Sequence, residues 1–187
     1  MMRSLLLLAL LGLASAQLDV KQLSTCKSVI KLLPELKTAN AGYTIFCPTN
    51  EAFNNMADEL NFADSGKLLA KISSDPALRA IVGFHVVKGV SPAASLKDGA
   101  SLQTLAGAPL KVVKEDGDIA INSLWVDFED KDGDDSDNED AVEIPNATFE
   151  GPFKAGSSKY VVHVIDRVLT PPAAASALRK VYSANNA

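Results

Sequence analysis

Apolar residues recur at steps of three or four along the first stretch of the chain. Val20, Leu23, Cys26, Ile30 and Leu33 share one helical face, and Pro34 stops or bends that helix. Tyr43 to Cys47 is a short β-rich run ending at Pro48, after which Thr49 can cap a helix running through Glu51, Phe53 and Met56. Another helical stretch begins at Ser65, with Leu68, Leu69 and Ile72 on one face. Asp75 and Pro76 read as the N-cap and first position of a further helix, continued by Leu78, Ile81 and Val82. From Phe84 onward β-branched residues and turn signals dominate. They predict strands at Phe84 to Val87, Ser101 to Leu105, Leu110 to Glu115, Asp118 to Asn122, Leu124 to Phe128 and Tyr160 to Leu169. Helices first and strands later predict an α+β fold with a largely antiparallel sheet. No repeat period is present.

The two ends change this picture. Met1, Met2 and Arg3 precede an apolar run from Leu5 to Leu13, which is too short to cross a bilayer core of about 30 Å. Ala14, Ser15 and Ala16 are the small residues a signal peptidase reads, so the cut is expected before Gln17. Residues 1–16 thus read as a signal peptide, 17–171 as one domain and 172–187 as a short C-terminal tail. The chain is expected to be secreted into the extracellular space, matrix or cell wall, with neither a transmembrane helix nor a lipid anchor.

Charge is distributed unevenly. The chain holds 18 Lys and Arg against 23 Asp and Glu, a formal net of −5. Ten of the acids, and only Lys131 among the bases, lie between Asp127 and Glu143, so this acidic insert (127–143) carries −9 and the rest of the chain after residue 16 carries +3. There is no basic stripe with interleaved aromatics, and nucleic acid is not an expected partner.

Three segments in order resemble the fasciclin, or FAS1, domain family. "YTIFCPTNEAF" at Tyr43 to Phe53 is similar to the family's first box, "DPALRAIVGFHVVKG" at Asp75 to Gly89 to its middle segment, and "YVVHVIDRVLTP" at Tyr160 to Pro171 to its second box. The resemblance implies a wedge-shaped β-sandwich of about seven strands with helices packed on it. It also implies a role in cell adhesion or matrix association, with extracellular proteins, glycans or a second copy as partners and no enzyme activity. Its box residues here are Pro48, Thr49, Phe53, Phe84, His85, His163 and Asp166, which read as core and turn positions. Animal relatives often carry Tyr-His, a pair implicated in integrin recognition, where this chain has Phe84 and His85; the phenol hydroxyl is missing, and there is no Arg-Gly-Asp.

Candidate chemistry is sparse. His85 and His163 are the only histidines, each inside an apolar run expected to be a strand, without convergent partners for metal binding or base catalysis. No Gly-x-Ser-x-Gly, phosphate loop or His-Glu-x-x-His occurs. Cys26 and Cys47 are the only cysteines. In an oxidising compartment they suggest a disulfide tying the first helix to the first strand, two buried thiols being the alternative. Asn146-Ala147-Thr148 is the only N-glycosylation sequon. "PPAAASA" at Pro171 to Ala177 faintly resembles the Pro-Ala-Ser modules of cell-wall arabinogalactan proteins. Asp130, Asp132 and Asp134 alternate like the first ligands of an EF-hand loop, but Asp135 stands where the turn glycine belongs and Ala141 where the closing glutamate belongs. That leaves weak Ca²⁺ binding, or none, and no other cofactor. Three functions follow in order: an adhesion or matrix-binding module, an extracellular ion-binding or mineral-associated protein working through the insert, and a secreted enzyme.

Overall fold

A computed structural model describes residues 20–38, 42–115, 118–122, 147–153 and 160–186. The acidic insert, Asn146, the proposed signal peptide and the strand expected at Leu124 to Phe128 lie outside these residues.

The helices begin where the sequence offers caps. After a 3₁₀ turn at Val20–Leu23 come α1 (Ser24–Ile30) and, beyond the bend at Pro34, a single further turn, α2 (Glu35–Thr38). Three helices then follow β1 (Tyr43–Pro48): α3 (Asn50–Glu59), α4 (Ser65–Ile72) and α5 (Pro76–Phe84). Thr49 Oγ1, Asp64 Oδ1 and Asp75 Oδ1 accept from the backbone N–H groups of Ala52, Lys67 and Ala77, meeting donors that the first turn of each helix leaves open.

The remaining strands are β2 (Val86–Lys88), β3 (Ser101–Gln103), β4 (Pro109–Glu115), β5 (Asp118–Asn122), β6 (Ala147–Phe153) and β7 (Tyr160–Ile165). Hydrogen bonds place them in the order β2-β1-β7-β6-β5-β4-β3. All these pairs are antiparallel except β1 with β7, which run parallel from Tyr43 opposite Tyr160 to Pro48 opposite Ile165. The two outer strands approach each other as well. Val87 bridges Thr104, just past β3, and Leu105 N–H donates to the Val86 carbonyl at 2.8 Å.

Two apolar clusters result. Tyr43, Ile45, Cys47, Val162 and Val164 pack against the helices, whereas Phe46 and Ile165 turn the other way, toward Leu110, Val112 and Ile121 of β4 and β5. β1 and most of β7 are buried, so both strands are largely apolar, with Thr44 and His163 as their buried polar residues.

Four expectations are corrected. Phe84 ends α5 and His85 is its C-cap, so the strand expected from Phe84 begins only at Val86; the helical frame set by Asp75 and Pro76 carries through a run that is apolar at both periods. The last strand stops at Ile165 and not at Leu169, because Ile165 lies opposite Pro48, where β1 ends in a residue without an N–H. The strand expected to reach Leu105 stops at Gln103, and its chain turns through Gly107 (φ 92°), with Thr104 Oγ1 donating to the Ala108 carbonyl at 2.6 Å. Finally, residues 172–185 of the expected tail form a helix, α6 (Pro172–Asn185). Its Ala174 and Leu178 are fully buried in the helix-side core.

Candidate functional site

The box residues singled out in the sequence sit inside the molecule. Thr49 caps α3, and its N–H donates to the Ile165 carbonyl at 3.1 Å, locking the start of that helix to the end of β7. Phe53 and Phe84 are buried in the two separate clusters, so at Phe84 the side chain serves packing and offers no surface handle. Asp166, half-buried, lies in the connection between β7 and α6 and has a polar partner.

The two histidines, far apart in sequence, flank Phe46. His85 C=O accepts from Phe46 N–H at 2.8 Å, and the His163 ring stacks on the Phe46 ring with centroids 5.5 Å apart. His163 Nε2 donates to the Ser91 carbonyl at 2.8 Å, while burial holds its pKa below the usual imidazole range against that bond. The Leu169 N–H donates to His85 Nε2 at 2.9 Å, which leaves Nδ1 protonated and donating to the Ile81 carbonyl at 2.8 Å. That ring is buried, neutral and satisfied at both nitrogens, and burial pushes its pKa down to about 4. Both nitrogens of the His85 ring are taken up by backbone groups, so that ring has no free position with which to move a proton. Among the described residues no group of three or more His, Cys, Asp or Glu is placed to hold a metal ion.

Cys26 and Cys47 are joined, with Cα atoms 5.7 Å apart, which settles the alternative in favour of the disulfide. The link pins α1 to β1, and Asn50 reinforces it: its side-chain oxygen accepts from Thr25 N–H at 3.0 Å and its amide donates to the Lys21 carbonyl at 2.9 Å. Sequence reading missed Asn50, whose only signal is its place immediately after the capping Thr49. Closing a loop between cysteines 21 residues apart is worth about 3 kcal/mol. Replacing both cysteines by serine should therefore lower Tm by roughly 6–12 °C in a thermal melt followed by circular dichroism; an unchanged midpoint would show that the link does not hold the fold.

Two hollows remain. Between α1, α3, α4 and α5 an apolar void of about 20 Å³, lined by Cys26, Phe53, Met56, Leu68 and His85, has room for little more than one water. On the outside, a cleft of about 260 Å³ lies between Leu33, Pro76, Gly83 and Ala106. Arg79 spans it, pairing with Glu35 and donating to the Leu32 carbonyl at 3.2 Å.

The surface is where polar chemistry is available. Lys27, Lys31, Lys67, Lys71, Lys88, Lys97, Lys111 and Lys114 are all exposed, while Leu32 and Val90 are the exposed large apolar residues among those described. No helix among the described residues is long and apolar enough to cross a membrane.

Comparison with known proteins follows the same lines. The family model for the Fasciclin domain matches residues 19–171. Protein sll1483 of Synechocystis is 29% identical over 151 residues, covering 80% of this chain and 67% of the relative. Cell surface glycolipoprotein MPB83 of Mycobacterium bovis is 31% identical over 166 residues, covering 86% of this chain but 60% of the relative. This chain thus spans about three fifths of that protein. Among solved structures, the FAS1 domain pair of the insect cell adhesion molecule fasciclin I aligns at 20% identity and TM-score 0.47, over 81% of this chain and 46% of that one.

Proposed function

The chain belongs to the fasciclin domain family, and from that premise we propose that it is a secreted adhesion or matrix-associated module that binds protein or glycan partners and catalyses nothing. The observation that carries this reading is where the recognisable residues go: Pro48, Thr49, Phe53, Phe84, His85 and His163 are buried or nearly so and maintain the fold, leaving the lysine-bearing exterior to meet a partner. The relative MPB83 is a cell surface glycolipoprotein. In the same reading residues 1–16 are a cleaved signal peptide and Asn146 carries an N-linked glycan. The two halves of the sheet, whose outer strands meet at Val87 and Thr104, make the family's wedge-shaped sandwich.

Outside the insert the secreted chain carries +3, which suits acidic matrix polysaccharides or acidic protein surfaces. Such attraction weakens as the screening length falls from about 10 Å at 0.1 M salt to about 3 Å at 1 M. The insert opposes it. Deleting Glu129 to Asp140 should leave retention on matrix-coated surfaces unchanged or stronger, and raised salt should weaken it in both proteins. A second reading rests on the alternation of Asp130, Asp132 and Asp134, with the insert binding Ca²⁺ at a Kd on the order of 10⁻⁴ to 10⁻³ M. If the deletion alone abolishes retention and chelation of calcium does the same to the intact protein, this second reading replaces the first.

A further inference from the structure

We propose that His85 is an acid-released latch on the C-terminal helix: its neutral imidazole ties the end of α5 to the backbone at Leu169, and taking up a proton from solvent lets α6 leave the core. The geometry leaves one protonation state for the closed form. Leu169 N–H already points at Nε2 from 2.9 Å, and Nδ1–H is committed to Ile81 C=O at 2.8 Å. A proton on Nε2 would set two donors head to head, so that bond is lost whenever the ring is charged.

Among the described residues no charged side chain acts on the ring to compensate the charge. The facing elements present Cys26 from α1, Phe53 and Met56 from α3, Leu68 from α4, Ile81 from α5 and Val168 from the connection. None of these titrates, Cys26 being in its disulfide. No charged side chain contributes to the perturbation of His85, which comes from burial against the Ile81 hydrogen bond. The other titratable ring nearby, His163, lies across Phe46 and holds Ser91, an attachment that does not lead to α6. Asp166 and Arg167, in the connection itself, each have partners of their own, and Arg167 acts on the Glu59 carboxyl at the end of α3.

Leu169 is a strategic place for such a bond. It is fully buried three residues before α6 begins, and α6 starts at Pro172 with no side-chain cap to hold its first turn. The helix is also held by Ala174 and Leu178 in the core, by Ala177, Val181 and Tyr182 packed against it and, at its far end, by Asn185 donating to the Leu60 and Asn61 carbonyls. Freeing Leu169 releases one end of this attachment.

The sign follows from linkage. In the closed form His85 titrates near 4, whereas a released imidazole titrates near 6.5, so the open form binds more protons between those values and the latch weakens as pH falls through that window. The open fraction should rise about 20-fold from pH 7 to pH 5. Hydrogen exchange read by mass spectrometry on the whole secreted chain, corrected for intrinsic rates, should show that fold-loss of protection across residues 166–186 while β4 and β5 keep theirs.

His85→Gln, which offers a neutral donor and acceptor, should remove the pH dependence, and His163→Gln should retain it. Unchanged protection of α6 down to pH 5 in the parent protein, or the same loss in His85→Gln, overturns the latch. Should His85→Gln not fold, proton NMR of the parent decides. A His85 ring titrating near 6.5 with α6 still protected overturns the proposal, and one remaining neutral until α6 opens supports it.

Discussion

Val164→Asp should leave no cooperatively folded domain at 25 °C and should abolish matrix retention with it. Val164 is fully buried on β7, opposite Cys47 of β1 and Gly151 of β6, within the cluster that faces the helices. An aspartate there forfeits the burial of a valine, about 1.5–3 kcal/mol. It must also either ionise without a partner or stay protonated in an apolar site, which adds several kcal/mol more. Their sum, about 5 kcal/mol or more, is comparable with the whole stability of a domain of this kind, about 5–15 kcal/mol. Urea unfolding followed by circular dichroism measures it directly; a sigmoidal transition within about 1 kcal/mol of the parent would show that the interior tolerates charge. Because the insert is untouched in this variant, loss of retention would place binding in the folded body.

Ending the chain after Pro171 should cost about 4 kcal/mol or more. Leu178 is fully buried, and truncating a buried leucine to alanine alone typically costs 2–5 kcal/mol. Ala177, Val181 and Tyr182 also pack on the same cluster and would be lost together. The expected fall in Tm is roughly 8–16 °C, and the milder Leu178→Ala should show about half to most of it. The family match ends at residue 171, so an unchanged midpoint in the truncated protein would make α6 an appendage, whereas the expected drop makes it part of this chain's core.

The elements legible beforehand were those whose causes lie within a few residues. Thr49 and Asp75 announce helix starts because a side-chain oxygen two or three positions before an open N–H is a local arrangement. Leu68 and Ile72 announce a buried face because helical spacing alone brings them together. The helix in the tail was not legible beforehand, for a related reason. A Pro-Pro-Ala-Ala-Ala run is compatible with both an extended stalk and a helix begun by proline, and only the apolar groove awaiting Ala174 and Leu178 decides between them.

By itself the sequence determined the α+β class, the family and the pair of cysteines available for bonding, since box motifs, periodicity and residue counts are properties of the chain. Tertiary structure decided the rest. The parallel register of β1 with β7 joins residues more than a hundred positions apart, and no local preference encodes such a pairing. His85 looked like a strand residue. Its role, and its tautomer with it, was set by the Leu169 N–H that folding delivers to one ring nitrogen and the Ile81 carbonyl that α5 holds at the other. A buried polar group takes its chemistry from whichever donor or acceptor the fold brings within about 3 Å, because in the absence of water nothing else can satisfy it.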